Sequence, residues 1–296
     1  MYKITESDEK IIIKGIKDFD PIHIFECGQC FRWNKEEDGS YTGVAHGKIL
    51  NVYKDGEYII FDQTTKDDFI NLWMNYFDLK RDYGMIKENL SKDPILKEAI
   101  KHGQGIRILN QDEWETTISF IISSNRGIPV IKKSIEALCE KYGTYIGVYR
   151  GRKYYDFPTP KQLLNCSEED IKQSHTGYRA KYIVNTTHMI EEAHVDLYGL
   201  KNLSTHDARN ELLKLSGVGP KVADCILLFC MGKYDAFPID VWVKRVMEYF
   251  YLPEETSLKK VQLFSQEKFK NLAGFAQQYL FYYARELGIG KKSVDS

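Results

Sequence analysis

The sequence predicts an α+β fold: an N-terminal antiparallel β-rich domain followed by a mostly α-helical body. Three observations carry this. Short apolar runs alternate with turn signals from Ile11 to about Asp62, helical periodicity takes over after Phe69, and near residue 217 a glycine turn separates two helical stretches. The expected division is residues 1–105 for the β-rich domain with flanking helices and 106–296 for the helical body, with a hairpin of helices at about 207–230.

In the N-terminal unit the runs "KIIIKGI", "CFRWN" and "EEDGSYTGVAHGKILNVYKDGEYIIFD" are punctuated by Asp38-Gly39, His46-Gly47 and Asp55-Gly56. Each of these pairs is a hairpin signal, because glycine supplies the positive φ that tight turns between antiparallel strands require. The next segment, "DDFINLWMNYFDL", sets Phe69, Leu72, Trp73, Tyr76 and Phe77 at helical spacing. From there to the C-terminus nearly every periodic stretch reads as helix.

The chain has 296 residues, 43% of them hydrophobic, which supplies ordinary buried cores. No apolar run approaches the length of a membrane span. Six cysteines spread over a chain this long suggest a reducing, intracellular setting rather than a disulfide framework. The formal charge of −1 argues mildly against a protein that holds polyanions by bulk Coulomb attraction. Residues 201–250 carry seven Lys/Arg against six Asp/Glu, so any nucleic-acid binding must come from local geometry.

That geometry is offered by "LKLSGVGPKVADC", Leu213 to Cys225. A helix runs to about Leu215, a Gly-Val-Gly turn follows, and Pro220 opens a second helix at a first-turn position where no backbone N–H is required. Val222, Cys225, Ile226 and Phe229 form its apolar stripe. The product is a helix-hairpin-helix whose backbone N–H groups, around Gly217, Gly219 and Val222, are candidate phosphate donors. The carbonyls of Leu213, Leu215 and Val218 are candidate ligands for a structural cation at the same turn. Lys221 sits on the first turn of the second helix, the end at which the macrodipole disfavours a cation. Such placement, with partial desolvation, is one way to present a neutral amine nucleophile; a surface lysine with its head in water is the plainer alternative. Asp240, in "FPIDVWV", stands where an N-cap belongs. A carboxylate near Lys221 could also take its proton and stabilise positive charge on a sugar.

Seven segments in order, "GQCFRW", "NYFDL", "RILNQDEWE", "ISFIISSN", "GYRAKYI", "GVGPKVADC" and "FPIDVWV", resemble the helix-hairpin-helix DNA glycosylases and, among them, the 8-oxoguanine DNA glycosylases. The likeness runs from about residue 25 to 288. It implies a bifunctional glycosylase/lyase of base excision repair acting on double-stranded DNA containing 8-oxoguanine. By the resemblance, Lys221 attacks C1′ of the damaged nucleoside, expels the base and forms a Schiff base that also breaks the strand by β-elimination, with Asp240 as its catalytic partner.

The resemblance further implies that Phe281 and Cys225 sandwich the extruded base, that Gln277 bonds its pairing edge, and that the Gly28 carbonyl accepts the N7 hydrogen that distinguishes 8-oxoguanine from guanine. Helical spacing makes this sensible, since Gln277 and Phe281 are i, i+4 neighbours, as are Lys221 and Cys225. On the opposite strand, Asn125 would fill the vacated stack, Tyr178 would wedge it, and Arg179 would read the orphaned cytosine. The second arginine expected five residues after Asn125 is Val130 here, which predicts relaxed selectivity for cytosine. The family's phosphate-contacting histidine after the aspartate is Trp242.

No cofactor is expected beyond the possible structural cation. The C-x-x-C of Cys27 and Cys30 has no partner pair to complete a zinc site, and no cysteine follows Cys230, which excludes the iron–sulfur cluster of some relatives. A monomer without membrane attachment is expected. Two alternatives stay open: a glycosylase for a different damaged base, and a non-catalytic module that uses the hairpin only to clamp DNA.

Overall fold

The turn signals fall where strands reverse. In the computed structural model, which describes residues 3–289, β1 (Lys3–Ser7), β2 (Lys10–Lys14), β3 (Trp33–Lys35), β4 (Tyr41–Ala45), β5 (Lys48–Asp55) and β6 (Tyr58–Asp62) form one sheet. Its order is β1-β2-β6-β5-β4-β3, with every pair antiparallel. Asp38-Gly39 separates β3 from β4, His46-Gly47 separates β4 from β5, and Asp55-Gly56 ends β5 before β6. β1 lies outside the span that begins at Ile11. It is exposed along nearly its whole length and so carries no apolar alternation.

Ile11, Ile13, Leu50, Val52, Ile59 and Phe61 are buried in one core with Phe25, Trp33, Phe69, Trp73, Tyr76 and Phe77. Phe69, Trp73 and Tyr76 come from the helical segment Lys66–Tyr76, whose middle, Phe69–Trp73, is wound as a π-helix, and Phe77 is its C-cap. Trp33 stacks on Phe25 with ring centroids 4.2 Å apart and donates its indole N–H to the Tyr76 hydroxyl at 2.8 Å. The aromatic spacing in "DDFINLWMNYFDL" therefore covers this face of the sheet.

Among the described residues the body is helical with one exception. β7 (Tyr145–Tyr149) and β8 (Arg152–Tyr155) form a two-stranded hairpin inside the region read as helix. The first hairpin helix also stops earlier than expected, at Leu212 rather than about Leu215. The second, Pro220–Cys230, begins where Pro220 puts it, with Gly219 as N-cap. It is buried on all sides from Val222 to Cys230, so the predicted stripe understates its role as the centre of the body. Its one buried charge, Asp224, is gripped by Arg209 of the preceding helix at 2.7 Å through Nε and 2.6 Å through Nη2.

The sheet and the body are tied by buried polar side chains. Arg107 donates to the carbonyls of Asp18, Asp78 and Lys17 at 2.8, 2.7 and 3.1 Å. Gln29, wholly buried, donates to the carbonyls of Ile24 and Arg107 and accepts the Leu109 N–H. Buried backbone groups need such partners because an unpaired one costs about 1–3 kcal/mol. Two of the sequence landmarks, "GQCFRW" and "RILNQDEWE", are thus in part the clamp between the two units.

Candidate active site

Pro220 and the glycine turn place Lys221 on the first turn of a buried helix, and Asp240 ends the loop that returns from that helix. Both line a recess completed by Cys27, Gly28, Phe120, Cys225, Phe229, Pro238, Gln277, Gln278 and Phe281. The catalytic and base-binding candidates of the sequence are therefore brought together at one place. Phe120, Phe229, Pro238, Cys27 and Gln278 were not among them. Phe120 lies in the quoted "ISFIISSN", and its ring centroid is 5.1 Å from the Lys221 Nζ.

Asp240 does cap a helix: its carboxylate accepts the Val243 N–H at 2.7 Å, and its carbonyl accepts that of Lys244 at 2.9 Å. This fixes the carboxylate at the recess wall, so capping and a position at the site coexist. Among the described residues neither Lys221 nor Asp240 makes an ion pair with the other or with any third group. The two both line the recess. Cys225 lies one turn from Lys221. Burial pushes its thiol up to about 11 although Lys221 opposes the shift, so it serves as a neutral packing surface.

Gly28 adopts φ +80°, a conformation that L side chains rarely adopt. A Cβ there would meet Phe281 Cε1 at 3.2 Å, so the Phe281 ring lies against this turn. The recess measures about 40 Å³ and is open to a wider cleft of about 870 Å³, with which it shares Gly28, Phe120, Lys221, Asp240 and Phe281. Phe281 is partly exposed and stands between the two.

That cleft is lined in part by Asn125, Arg126, Val241, Trp242 and Lys244. Trp242 therefore faces the cleft rather than the core. Asn125 is exposed with φ 53° at the end of the helix Glu113–Ser123. Tyr178 is 58% exposed. Arg179 departs from expectation. Its side chain is turned inward, Nε donating to the Ser124 carbonyl at 3.0 Å and Nη2 to the same oxygen, with the guanidinium 4.3 Å from the Tyr178 ring centroid. To read a base it must release one of these bonds or use Nη1. Arg126 points away, its Nη1 held by the Ser134 hydroxyl at 2.9 Å and the His175 carbonyl at 2.6 Å. Val130 is 48% exposed.

At the hairpin, Gly217 has φ +82°, and a Cβ would run into the Tyr182 ring at 2.8 Å. No side chain caps the second helix. The N–H groups of Gly217, Gly219 and Val222 reach no protein acceptor among the described residues, which leaves them as donors for an anion. The Leu215 carbonyl accepts the Val218 N–H at 3.2 Å, whereas those of Leu213 and Val218 receive no backbone donor among the described residues. Open carbonyl oxygens of this kind fit a hard cation.

Residues 11–117 match the family described as 8-oxoguanine DNA glycosylase, N-terminal domain, and residues 118–271 match the HhH-GPD superfamily of base excision DNA repair proteins. The chain is 30% identical over 280 residues to the N-glycosylase/DNA lyase OGG1 of Arabidopsis thaliana, covering 87% of this chain and 75% of that protein. It is similar to the Clostridium acetobutylicum 8-oxoguanine glycosylase/lyase solved with double-stranded DNA containing cytosine opposite 8-oxoguanine, at 47% identity and TM-score 0.95, covering 97% and 99% of the two chains. It is similar also to MBOgg1 solved with a low-affinity DNA ligand, at 52% identity, TM-score 0.95 and the same coverage.

Proposed function

Because this chain belongs to the 8-oxoguanine DNA glycosylase family of helix-hairpin-helix repair proteins, we propose that Lys221 and Asp240 are the residues with which it excises 8-oxoguanine from duplex DNA and nicks the strand. The protein is a DNA N-glycosylase with lyase activity in base excision repair. The observation that carries the residue assignment is their convergence, with Gly28, Cys225, Gln277 and Phe281, on one recess that opens into a cleft.

The Lys221 amine forms a bond to C1′ as the bond from C1′ to the base breaks. The base leaves with the bonding pair and gains a proton. Asp240, held by the Val243 N–H, stabilises the positive charge that develops on the sugar. Nitrogen loses a proton, its lone pair breaks the C1′–O4′ bond to give a Schiff base while O4′ takes a proton from solvent, and removal of a C2′ proton then forms the C2′–C3′ double bond as the C3′–O bond breaks and the 3′ phosphate leaves. The base is flipped into the recess and stacks between Phe281 and Cys225. The Gly28 carbonyl accepts the N7 hydrogen of the lesion and repels the N7 lone pair of guanine.

Outside the recess the hairpin N–H groups of Gly217, Gly219 and Val222 grip a phosphate, and Trp242 meets the backbone from the next helix. Asn125 fills the vacated stack, Tyr178 wedges it, and Arg179 reads the estranged base. The carbonyls of Leu213, Leu215 and Val218 would hold a structural cation, whose charge favours the nearby phosphate. The protein works as a monomer inside the cell; among the described residues no helix is long and apolar enough to cross a membrane.

The test is single-turnover incubation with duplexes carrying 8-oxoguanine, uracil or an alkylated purine, scoring free base and nicked strand separately. Release and nicking with 8-oxoguanine alone support this reading. Release of another base with 8-oxoguanine untouched, or tight binding without release, would replace it with the corresponding alternative.

A further inference from the structure

The helix Ala273–Leu287 brings two consecutive glutamines to the recess, Gln277 and Gln278, 5% and 2% exposed. Gln278 Nε2 donates to Gln277 Oε1 at 2.7 Å. Gln278 Oε1 is buried without any hydrogen-bond partner, and Gln277 Nε2 donates to no protein acceptor among the described residues. A buried, unpaired amide oxygen is costly to a fold that gains nothing from it. The joined amides thus carry one open acceptor and one open donor, on two residues that line the recess.

We propose that Gln277 and Gln278 act as a single hydrogen-bonded reader of the base's pairing edge, in which Gln278 supplies the acceptor. The proposal rests on the reading of this recess as the base pocket. A purine lactam edge, with a carbonyl at C6 and a hydrogen on N1, is the complement of this pair: the C6 oxygen takes the Gln277 N–H and the N1 hydrogen is taken by Gln278 Oε1. An adenine-type edge offers the reverse, a donor at position 6 and an acceptor at N1, and can be met only if both amides turn over. Gln278 is therefore a specificity-determining residue that selects oxidised guanine over oxidised adenine.

The experiment measures single-turnover excision from duplexes containing 8-oxoguanine, 8-oxohypoxanthine, which keeps the lactam edge without the 2-amino group, and 8-oxoadenine. Wild type is expected to process both lactam lesions faster than 8-oxoadenine. In Gln278→Leu that preference falls about tenfold, the scale of a lost specific contact. In Gln278→Glu the neutral acid keeps a donor and an acceptor, whereas the ionised form has no donor, so the preference declines as pH rises while that of wild type does not. If the leucine variant unfolds, the glutamate variant decides. An unchanged preference in Gln278→Leu, or a pH-independent one in Gln278→Glu, would overturn the proposal and leave Gln278 as packing. Wild-type excision of 8-oxoguanine by Gln277→Leu carries a different message: the recess is then not the base pocket, and both readings fall.

Discussion

The side-chain oxygen of Gln29 accepts the Leu109 backbone N–H at 2.9 Å across 80 residues of sequence, while its nitrogen donates to the Arg107 carbonyl at 2.8 Å. Gln111 returns the contact by donating to the Gln29 carbonyl at 2.8 Å. These bonds hold the turn that carries Gly28 against the helical body. Gln29→Leu strands a buried N–H and weakens the hold on two carbonyls, so a stability loss of about 1–3 kcal/mol is expected from each group left unpaired. Denaturant unfolding gives that number. Excision of 8-oxoguanine should also fall, because the Gly28 carbonyl loses its fixed aim; a destabilised variant with unimpaired selectivity against guanine would separate the turn from lesion reading.

Asp240 has two tasks that substitution can divide. Asparagine can still cap the helix but carries no charge, so Asp240→Asn should slow base release severely and leave stability near wild type. Asp240→Ala should lose the cap as well, at a cost of about 1 kcal/mol. Paired measurement of melting temperature and single-turnover rate checks both. Equal rates for wild type and Asp240→Asn would reduce the residue to its cap.

Val130 bears on the base opposite the lesion. It is exposed and offers no donor, while Arg126 is spent on Ser134 and His175 and Arg179 on Ser124. We expect weak discrimination for cytosine opposite 8-oxoguanine and a sharper preference in Val130→Arg, by an amount within the roughly 1–3 kcal/mol of a bidentate base contact. Single-turnover excision opposite each of the four bases measures it. Strict cytosine dependence in wild type, unchanged by Val130→Arg, would show that Arg179 turns outward and suffices.

A pH dependence comes from Glu115. Burial pushes its carboxyl up to about 8, with the Arg32 guanidinium 3.7 Å away opposing the shift. The folded state thus holds a proton that the unfolded chain gives up near pH 4.5. The stability this contributes is fully present below about pH 4.5 and is lost as pH rises through about 8. Glu115→Gln, neutral throughout, should flatten the stability profile across that window. Unfolding midpoints from pH 4 to 9 test it, and a variant profile parallel to that of wild type would assign the dependence elsewhere.

Much of the fold was legible because its signals are local. Three glycine pairs mark three strand reversals, and Pro220 opens the second hairpin helix at its own position. β1 escaped notice because an exposed edge strand needs no apolar alternation. The hairpin of β7 and β8 had a signal, Arg150-Gly151 between aromatic runs, but its strands bury too little to stand out from the helical periodicity around them. Of the site, Lys221 and Asp240 stood out by their places at helix starts, Gly28, Cys225, Gln277 and Phe281 by resemblance, and all six converge on one recess. What could not be read were contacts that only folding creates. The Ser124 carbonyl that draws Arg179 inward lies 55 residues away, and the partner that gives Gln278 its meaning is an adjacent side chain whose orientation no sequence pattern records.

The central claim, that Lys221 is the nucleophile of a glycosylase/lyase, is tested most directly by borohydride trapping on an 8-oxoguanine duplex. Wild type should yield a covalent protein–DNA adduct together with released base. Lys221→Gln removes the amine but leaves the Gly217, Gly219 and Val222 donors of the hairpin in place, so it should bind lesion DNA, release no base and give no adduct. Base release and an adduct from Lys221→Gln at wild-type levels would contradict the account.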